Sequence, residues 1–167
     1  NIQTDNIRGV FGLRGKLLDR WDWEVAAQRA RSESEQTGSR SQGWVRTDYL
    51  QQEINAGRYN PFGGTFNAQS TIDAITTSLV RQGTSNLTAY DAQISGEIFD
   101  LPAGKVAMAT GIEYREEDVS DIPDEQFQRG LIFGTEAVSA EASRDNWSAF
   151  VEFSVPVVES LEVNVAA

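Results

Sequence analysis

The sequence contains no cysteine and no histidine, and it has only four prolines among its 167 residues. Without cysteine and histidine there is no disulfide framework, no cysteine nucleophile, no histidine-based triad and no usual zinc ligand set. Basic residues are also scarce, since 14 Lys and Arg stand against 25 Asp and Glu, which gives a net charge of −11. Because nucleic-acid binders need basic residues to neutralise phosphates, we predict no nucleic-acid partner.

Long apolar runs are missing as well. No window approaches the roughly 18 consecutive apolar residues that indicate a transmembrane helix. The mean hydropathy of −0.40, taken alone, is typical of a soluble globular domain. The chain has no initiator Met and stops within an alternating pattern at Val163–Ala167, so we expect a fragment of a longer chain.

The pattern that dominates the sequence is an alternation of apolar and polar residues. Between Thr88 and Phe99 the even positions form a mainly apolar row and the odd positions a mainly polar row. Successive side chains of a strand point to opposite faces, so this run predicts a strand with two different faces. A turn-like segment, 100–105, leads into a second alternating run over 106–117, and together they predict a hairpin.

The same alternation recurs near both ends of the sequence, over 11–17, 21–27, 147–155 and 161–165. We therefore predict six strands in three hairpins, with tight turns near residues 19, 102 and 158. The predicted strands lie near 10–18, 21–35, 86–101, 105–118, 144–156 and 160–167, and the long loops are 36–85 and 119–143.

The first long loop has helical patterns of its own. Asp48–Ala56 predicts a short helix with Asp48 as N-cap, and Ser70–Gln82 predicts a second one. The second long loop is acidic, but it lacks the ligand spacing of a calcium-binding loop, so we predict a solvated loop without a metal.

Long strands with short turns on one side, long loops on the other and one apolar face are typical of an outer-membrane β-barrel. The predicted fold class is thus an antiparallel, up-and-down, transmembrane β-barrel segment. The aromatic residues at the ends of the apolar rows predict two membrane-interface girdles. Their members are Tyr90, Tyr114 and Trp147 at the loop ends, and Trp21 and Trp23 near a turn. The polar rows suit a water-filled lumen.

Alternation also fits a soluble antiparallel sheet with one buried face, as in a β-sandwich that binds carbohydrate. Sandwich strands are usually shorter and their turns fall at regular intervals of about 8–12 residues. Here a 50-residue loop stands beside very short turns, and the barrel is the favoured interpretation.

Several of these segments resemble the barrel of TonB-dependent outer-membrane receptors. The run Tyr90–Val106, followed by Gly111–Arg115, resembles a strand pair of that family that reads G-x-L-F-x-L-P-A-G and then G-x-E-Y-R. Asn60–Gly63 also recurs in a loop of many such receptors, and the strands at 149–156 and 161–167 look like two further family strands. The plug domain and the TonB box of the family are absent from these 167 residues.

The resemblance implies a segment of an active importer, located in the bacterial outer membrane, rather than an enzyme. Such a receptor binds a scarce extracellular ligand, for example a siderophore, a cobalamin or an oligosaccharide. It imports the ligand with energy relayed by the TonB complex, and it needs no cofactor. A passive porin or an outer-membrane adhesin is the alternative with the same barrel.

Ligand contacts in a receptor of this kind are expected in the long loops. The candidates are Arg58, Tyr59, Asn60 and Phe62. The same residues are typical of a structural turn, and that is the interpretation we favour for them.

Overall fold

The computed structural model describes residues 1–62 and 66–167, and within them the main feature is one six-stranded antiparallel sheet. Strands that are neighbours in the sequence are neighbours in the sheet, and the sheet is open rather than closed. The prediction of six strands in up-and-down order is therefore confirmed. The strands are β1 (Ile2–Leu17), β2 (Trp21–Gly38), β3 (Leu79–Leu101), β4 (Gly104–Ile122), β5 (Ala140–Val158) and β6 (Leu161–Ala166).

Short helices lie in the two long connections. They are α1 (Thr47–Asn55) and α2 (Gln69–Ile75) in the first and α3 (Glu125–Gln128) in the second, with a single 3₁₀ turn at Arg40–Gln42. Helices in the first connection were predicted, whereas α3 was not, because four residues are too few for a periodic pattern. No helix in the described ranges is long and apolar enough to cross a membrane.

Both predicted helices need correction. Arg46, not Asp48, is the N-cap of α1, and Asp48 is the second helical residue, where its carboxylate accepts a 2.9 Å hydrogen bond from Arg46 Nε. The helix predicted to reach Gln82 ends at Ile75, since the backbone of Thr76 is extended. The β-branched side chains of Thr76 and Thr77 favour that extended conformation, and Leu79 already belongs to β3.

The strands extend further than the alternating rows predicted. The first strand begins at Ile2 rather than near residue 10, and β3 begins at Leu79 rather than near 86. Polar contacts with β4 and with the residue that caps α3 hold the extension of β3. Arg81 on β3 donates to Asp121 on β4 through Nε at 2.7 Å, and the amide of Val80 donates to the Asp124 carboxylate at 2.9 Å. Because this pairing needs no apolar row, periodicity does not reveal it.

The tight connections between strands lie at the positions that the sequence predicted; the first contains three residues, 18–20, and the other two contain two residues each. In the first, Leu18 and Asp19 both have positive φ, 53° and 56°, and the amide of Arg20 donates to the Leu17 carbonyl at 3.3 Å. This is the geometry of a type I′ turn, which matches the twist of the adjoining strands. The other two connections are 102–103 and 159–160.

The chain divides into two compact units. We call the first the loop unit, and it consists of Asn1–Asp5, Ser32–Ser85 and Val119–Ala142. We call the second the strand unit, and it consists of Asn6–Arg31, Asn86–Asp118 and Ser143–Ala167.

In the loop unit residues 44–47 pair with two other segments through isolated antiparallel bridges, Val45 with Thr76 and Arg46 with Ile132. On one side the amide of Arg46 donates to the Ile75 carbonyl at 2.8 Å, and on the other the amide of Thr47 donates to the Leu131 carbonyl at 2.9 Å. Ile75 and Ile132 are buried in these flanking segments, together with Leu79 at the start of β3. The two long connections are thus joined through the backbone of residues 44–47, and buried apolar side chains lie in the joined segments.

In the strand unit three aromatic rings lie over glycines of neighbouring strands. A Cβ built on Gly15 would lie 2.9 Å from the Trp23 ring, one on Gly96 2.7 Å from the Trp21 ring, and one on Gly111 2.5 Å from the Phe150 ring. A glycine leaves the space that a large ring on the adjacent strand occupies. These pairs therefore fix the register between strands.

We expect Gly96→Ala to destabilise the strand unit by about 1–3 kcal/mol, the usual cost of forcing a methyl group into a packed site. The added Cβ would also meet the Arg20 carbonyl at 2.5 Å, and this backbone atom cannot rotate away. Gly9→Ala is the matched control, because nothing lies within 4 Å of its Cβ position. Urea denaturation of the two variants measures the difference, and equal midpoints would contradict the packing described here.

Candidate functional site

The segment that follows α1 holds the predicted ligand residues. At its start, the buried Glu53 accepts two hydrogen bonds from the Arg58 guanidinium, both at 2.6 Å. The main-chain carbonyl of Glu53 also accepts from the amides of Arg58 and Tyr59, at 3.0 and 3.2 Å. Gly57, with φ of 69°, provides the left-handed residue that ends the helix here. These contacts fold the chain back on the end of α1.

A pair of asparagines closes the next part of the segment. The amide of Asn60 donates to Asn67 Oδ1 at 2.7 Å, and Asn67 Nδ2 donates to the Asn60 carbonyl at 3.2 Å. Asn60 Oδ1 in turn accepts from the amide of Phe62 at 2.9 Å. Gly63 and Gly64, which belong to the same predicted turn cluster, lie outside the described residues.

The four candidate residues therefore differ in what they present to solvent. The polar groups of Arg58 and Asn60 hold the segment together, and Tyr59 is half-buried. Phe62 is 79% exposed, and Phe66, beside Asn67, is fully exposed. The turn interpretation explains Arg58 and Asn60, and contact between Phe62 and a ligand stays a prediction. Phe66 was not singled out from the sequence.

The ion pair at Glu53 is electrostatically strong because it is bidentate and partly shielded from water. The Arg58 guanidinium lowers the pKa of the Glu53 carboxyl, mainly through the side-chain hydrogen bonds, and the carboxylate raises the pKa of Arg58. Arg46 acts on Asp48 in the same way and lowers the pKa of that carboxyl. The Arg46 guanidinium also lies 4.1 Å from the centre of the Tyr49 ring.

The predicted girdle aromatics lie in the strand unit. Tyr114 on β4 and Trp147 on β5 stack with ring centres 4.6 Å apart, and Trp147 is 68% exposed. Tyr90 on β3 is exposed as well. Trp21 and Trp23 differ, because their rings pack on glycines and are only half-exposed. Their role at a membrane interface stays a prediction.

The polar rows of five strands meet on one face of the strand unit. A groove of about 450 Å³ runs across them and is lined by residues of β1 to β5, among them Arg14, Asp22, Gln93, Ala109 and Phe150. Near the tight turns a second groove of about 600 Å³ contains the ion pairs Lys16–Asp22, at 3.4 Å, and Lys105–Glu97, at 2.5 Å. A ligand bound on this face would contact paired charges, amides and hydroxyls.

One residue of this face was assigned to a polar row by alternation but was not predicted as a site. Phe150 is the large apolar side chain in a row that otherwise reads Ser148, Glu152 and Ser154. It lines the groove of about 450 Å³ and also a neighbouring one of about 310 Å³. The sequence does contain a signal for Phe150, because an aromatic residue there interrupts an otherwise polar row.

The Glu53–Arg58 pair predicts a pH dependence of stability. Because the pKa of Glu53 is lower in the folded chain, its contribution is complete above the unfolded carboxyl value of about 4.3 and is lost as the pH falls through the folded value. Wild type is therefore expected to exceed Glu53→Gln in thermal stability at neutral pH, and the two melting curves converge under acid conditions.

Glu125→Gln is the control for that comparison, because Glu125 forms an exposed i,i+4 pair with Arg129 at 3.3 Å. Exposed pairs of this kind contribute little to stability. A constant difference between wild type and Glu53→Gln from neutral to acid pH would refute the assignment.

The sequence was compared with protein-family models and with curated proteins, and neither comparison gave a match.

Proposed function

We propose that this chain is a segment of a TonB-dependent outer-membrane receptor, which binds a scarce extracellular ligand and imports it. In this proposal the strand unit crosses the outer membrane, with its apolar rows against lipid. The polar rows line the interior of the barrel, and no chemical change of the ligand is involved. Outer-membrane lipid, the TonB complex and a small extracellular ligand are the partners.

The observation that carries the proposal is an apolar face that the chain does not cover. Large apolar side chains on one face of all six strands are exposed, although burial of such side chains is what usually stabilises a soluble sheet. In the described part of the strand unit, one large apolar side chain, Val106, is buried. The exposed ones include Phe11, Leu13, Leu17, Val25, Tyr90, Ile112, Trp147, Leu161, Val163 and Val165.

The exposed area points in the same direction. The chain exposes 11925 Å². A compact soluble protein of 18.4 kDa exposes roughly 8,200 Å² by the usual scaling of surface with mass. This total includes polar surface as well, and the large apolar side chains exposed within it need a partner that is itself apolar. Hydrocarbon covers such a face on every strand at once, and water covers the polar face.

A soluble β-sandwich explains the same alternation less well. A sandwich buries its apolar rows between two packed sheets. The described residues form one six-stranded sheet, in which the strands follow the sequence order. Sequential antiparallel strands with short turns are the connectivity of up-and-down barrels, in which alternating faces meet lipid and water.

The resemblance supplies the transport part of the proposal. It rests most strongly on the turn Leu101–Gly104 and on Glu113–Arg115 in the strand that follows. In the structure the turn joins β3 to β4, and Glu113, Arg115 and Glu117 lie along β4 as an ion-paired row, with Arg115 3.1 Å from Glu113. The barrel position that the family assigns to these residues is thus compatible with the strand pairing described above.

Adjacent residues on β3 provide a test of the membrane assignment. Ile94 belongs to the apolar row and Ser95 to the polar row, midway between Tyr90 and the turn. We expect Ile94→Arg to lower the folding free energy of the natural full-length protein in vesicles by about 2–4 kcal/mol, the cost of a lipid-facing cation near the bilayer midplane.

Ser95→Arg is the matched control, and it is expected to fold like wild type because its side chain meets water. Heat-modifiable mobility on gels and urea titration in vesicles measure both variants. If both variants fold equally well, or if the wild type stays monomeric in buffer without detergent, the membrane assignment fails.

Import is tested in cells that lack the intact gene, and in cells that lack the TonB partner. Uptake of labelled ferric siderophore, cobalamin and oligosaccharide is measured in each strain. We expect at least one of these ligands to depend on both genes, because an active importer needs the relayed energy. Uptake that depends on the gene but persists without TonB would instead identify a passive porin.

A further inference from the structure

Phe150 occupies an unusual place in the strand unit. It belongs to the polar row of β5, yet its side chain is an apolar ring that is 44% exposed. Its position is well fixed, because the ring lies over Gly111 of β4, and because Thr110 Oγ1 donates to the Phe150 carbonyl at 2.8 Å. The ring thus has one side against the sheet and another side toward the polar face.

Two grooves meet at this ring. The larger, of about 450 Å³, lies on the side of β1 to β3 and presents the Gln93 amide and the Ser95 hydroxyl. The smaller, of about 310 Å³, is lined by Gln93, Asp91, Glu113 and the Ser148 hydroxyl. A single aromatic side chain therefore stands between two polar depressions, each large enough for a ring-shaped molecule of modest size.

The polar groups around Phe150 both donate and accept hydrogen bonds. An amide supplies two N–H donors and one acceptor oxygen, each hydroxyl supplies both functions, and the carboxylates of Asp91 and Glu113 are acceptors. A sugar ring needs this mixture, since each of its hydroxyls donates and accepts, while its C–H face is apolar and packs flat on an aromatic ring. An ammonium group only donates hydrogen bonds, so a ligand of that kind would leave the donors around Phe150 without a partner.

The charges of the larger groove are balanced. Arg14 and Lys16 lie there together with Asp22 and Glu24, and Lys16 is within 3.4 Å of Asp22. A cationic ligand would meet the two basic side chains, and an anionic one would meet the two acids. The charged residues that line the smaller groove are Asp91 and Glu113, and Glu113 is paired with Arg115 at 3.1 Å. The balance in the larger groove favours a neutral ligand that is rich in hydroxyl groups.

We propose that the grooves on either side of Phe150 form a binding site for a neutral oligosaccharide, with one sugar stacked on the Phe150 ring. Gln93 and Ser148 hydrogen-bond its hydroxyls as donors and acceptors, and Asp91 accepts from them. This site deepens the proposed function, because it assigns the class of imported ligand. Binding to the site does not depend on transport.

The experiment uses the natural full-length protein, purified in detergent. It is titrated by calorimetry with neutral malto-, xylo-, manno- and galacto-oligosaccharides, and with spermidine as the cationic probe. We expect at least one of the neutral sugars to bind, with affinity reduced about tenfold or more by Phe150→Leu, which keeps the apolar volume but removes the flat ring.

Phe99→Leu is the matched control. Phe99 is also exposed, at 54%, and it shares the polar row of β3 with Gln93, but it lines neither groove. It is expected to leave the affinity unchanged, and Phe150→Trp is expected to retain it. Gln93→Leu, which leaves the ring in place, provides a second loss-of-binding variant in case Phe150→Leu folds poorly by circular dichroism.

The proposal is overturned if none of the neutral sugars binds, if Phe150→Leu and Gln93→Leu both bind like wild type, or if spermidine alone binds in a Phe150-dependent manner. The outcome is separable from that of the proposed function. Sugar binding in detergent without TonB-dependent uptake would refute the importer and retain the site. TonB-dependent uptake of a siderophore without sugar binding would support the importer and refute the sugar site.

Discussion

Successive side chains of a β-strand point to opposite faces of the sheet, and the strand unit depends on this constraint more than on any single contact. Because the rows alternate, the apolar side chains of six strands gather on one face and the charged and amide side chains on the other. The two faces need different surroundings. A shift of one residue in any strand would exchange them, which is why register has to be fixed so firmly. The rings of Trp21, Trp23 and Phe150, each seated on a glycine of a neighbouring strand, fix it.

The loop unit is built on a different principle. It buries Ile75, Leu79 and Ile132 in a core of its own, and it pairs nearly every basic group that the sequence places there with an acid nearby. Examples are Arg46 with Asp48, Arg58 with Glu53, and Arg129 with Glu125. These pairs use most of the basic groups of the loop unit, and acids remain in excess there.

The sequence was most informative where a local pattern determines the structure. Alternation predicted the central part of every strand, and the three turns followed from the gaps between alternating runs. Alternation failed where polar residues continue a strand. Arg81 and Asp121 are an example, since they pair with each other across 40 residues of sequence. The groove at Phe150 shows the same limit. Alternation assigns that ring to the polar face, but Gln93 comes next to it only through the strand order.

The bridged segment 44–47 of the loop unit has a consequence for the order of folding. Thr47 contacts Leu131 across 84 residues of sequence, whereas the hairpins close over turns of two or three residues. Closing a long loop costs more chain entropy than closing a short one, and contacts distant in sequence form slowly. Residues 44–47 have no partner on their second side until β4 and the segment after it are in place. The two long connections would then be the last part of the chain to become ordered, after the hairpins had already formed.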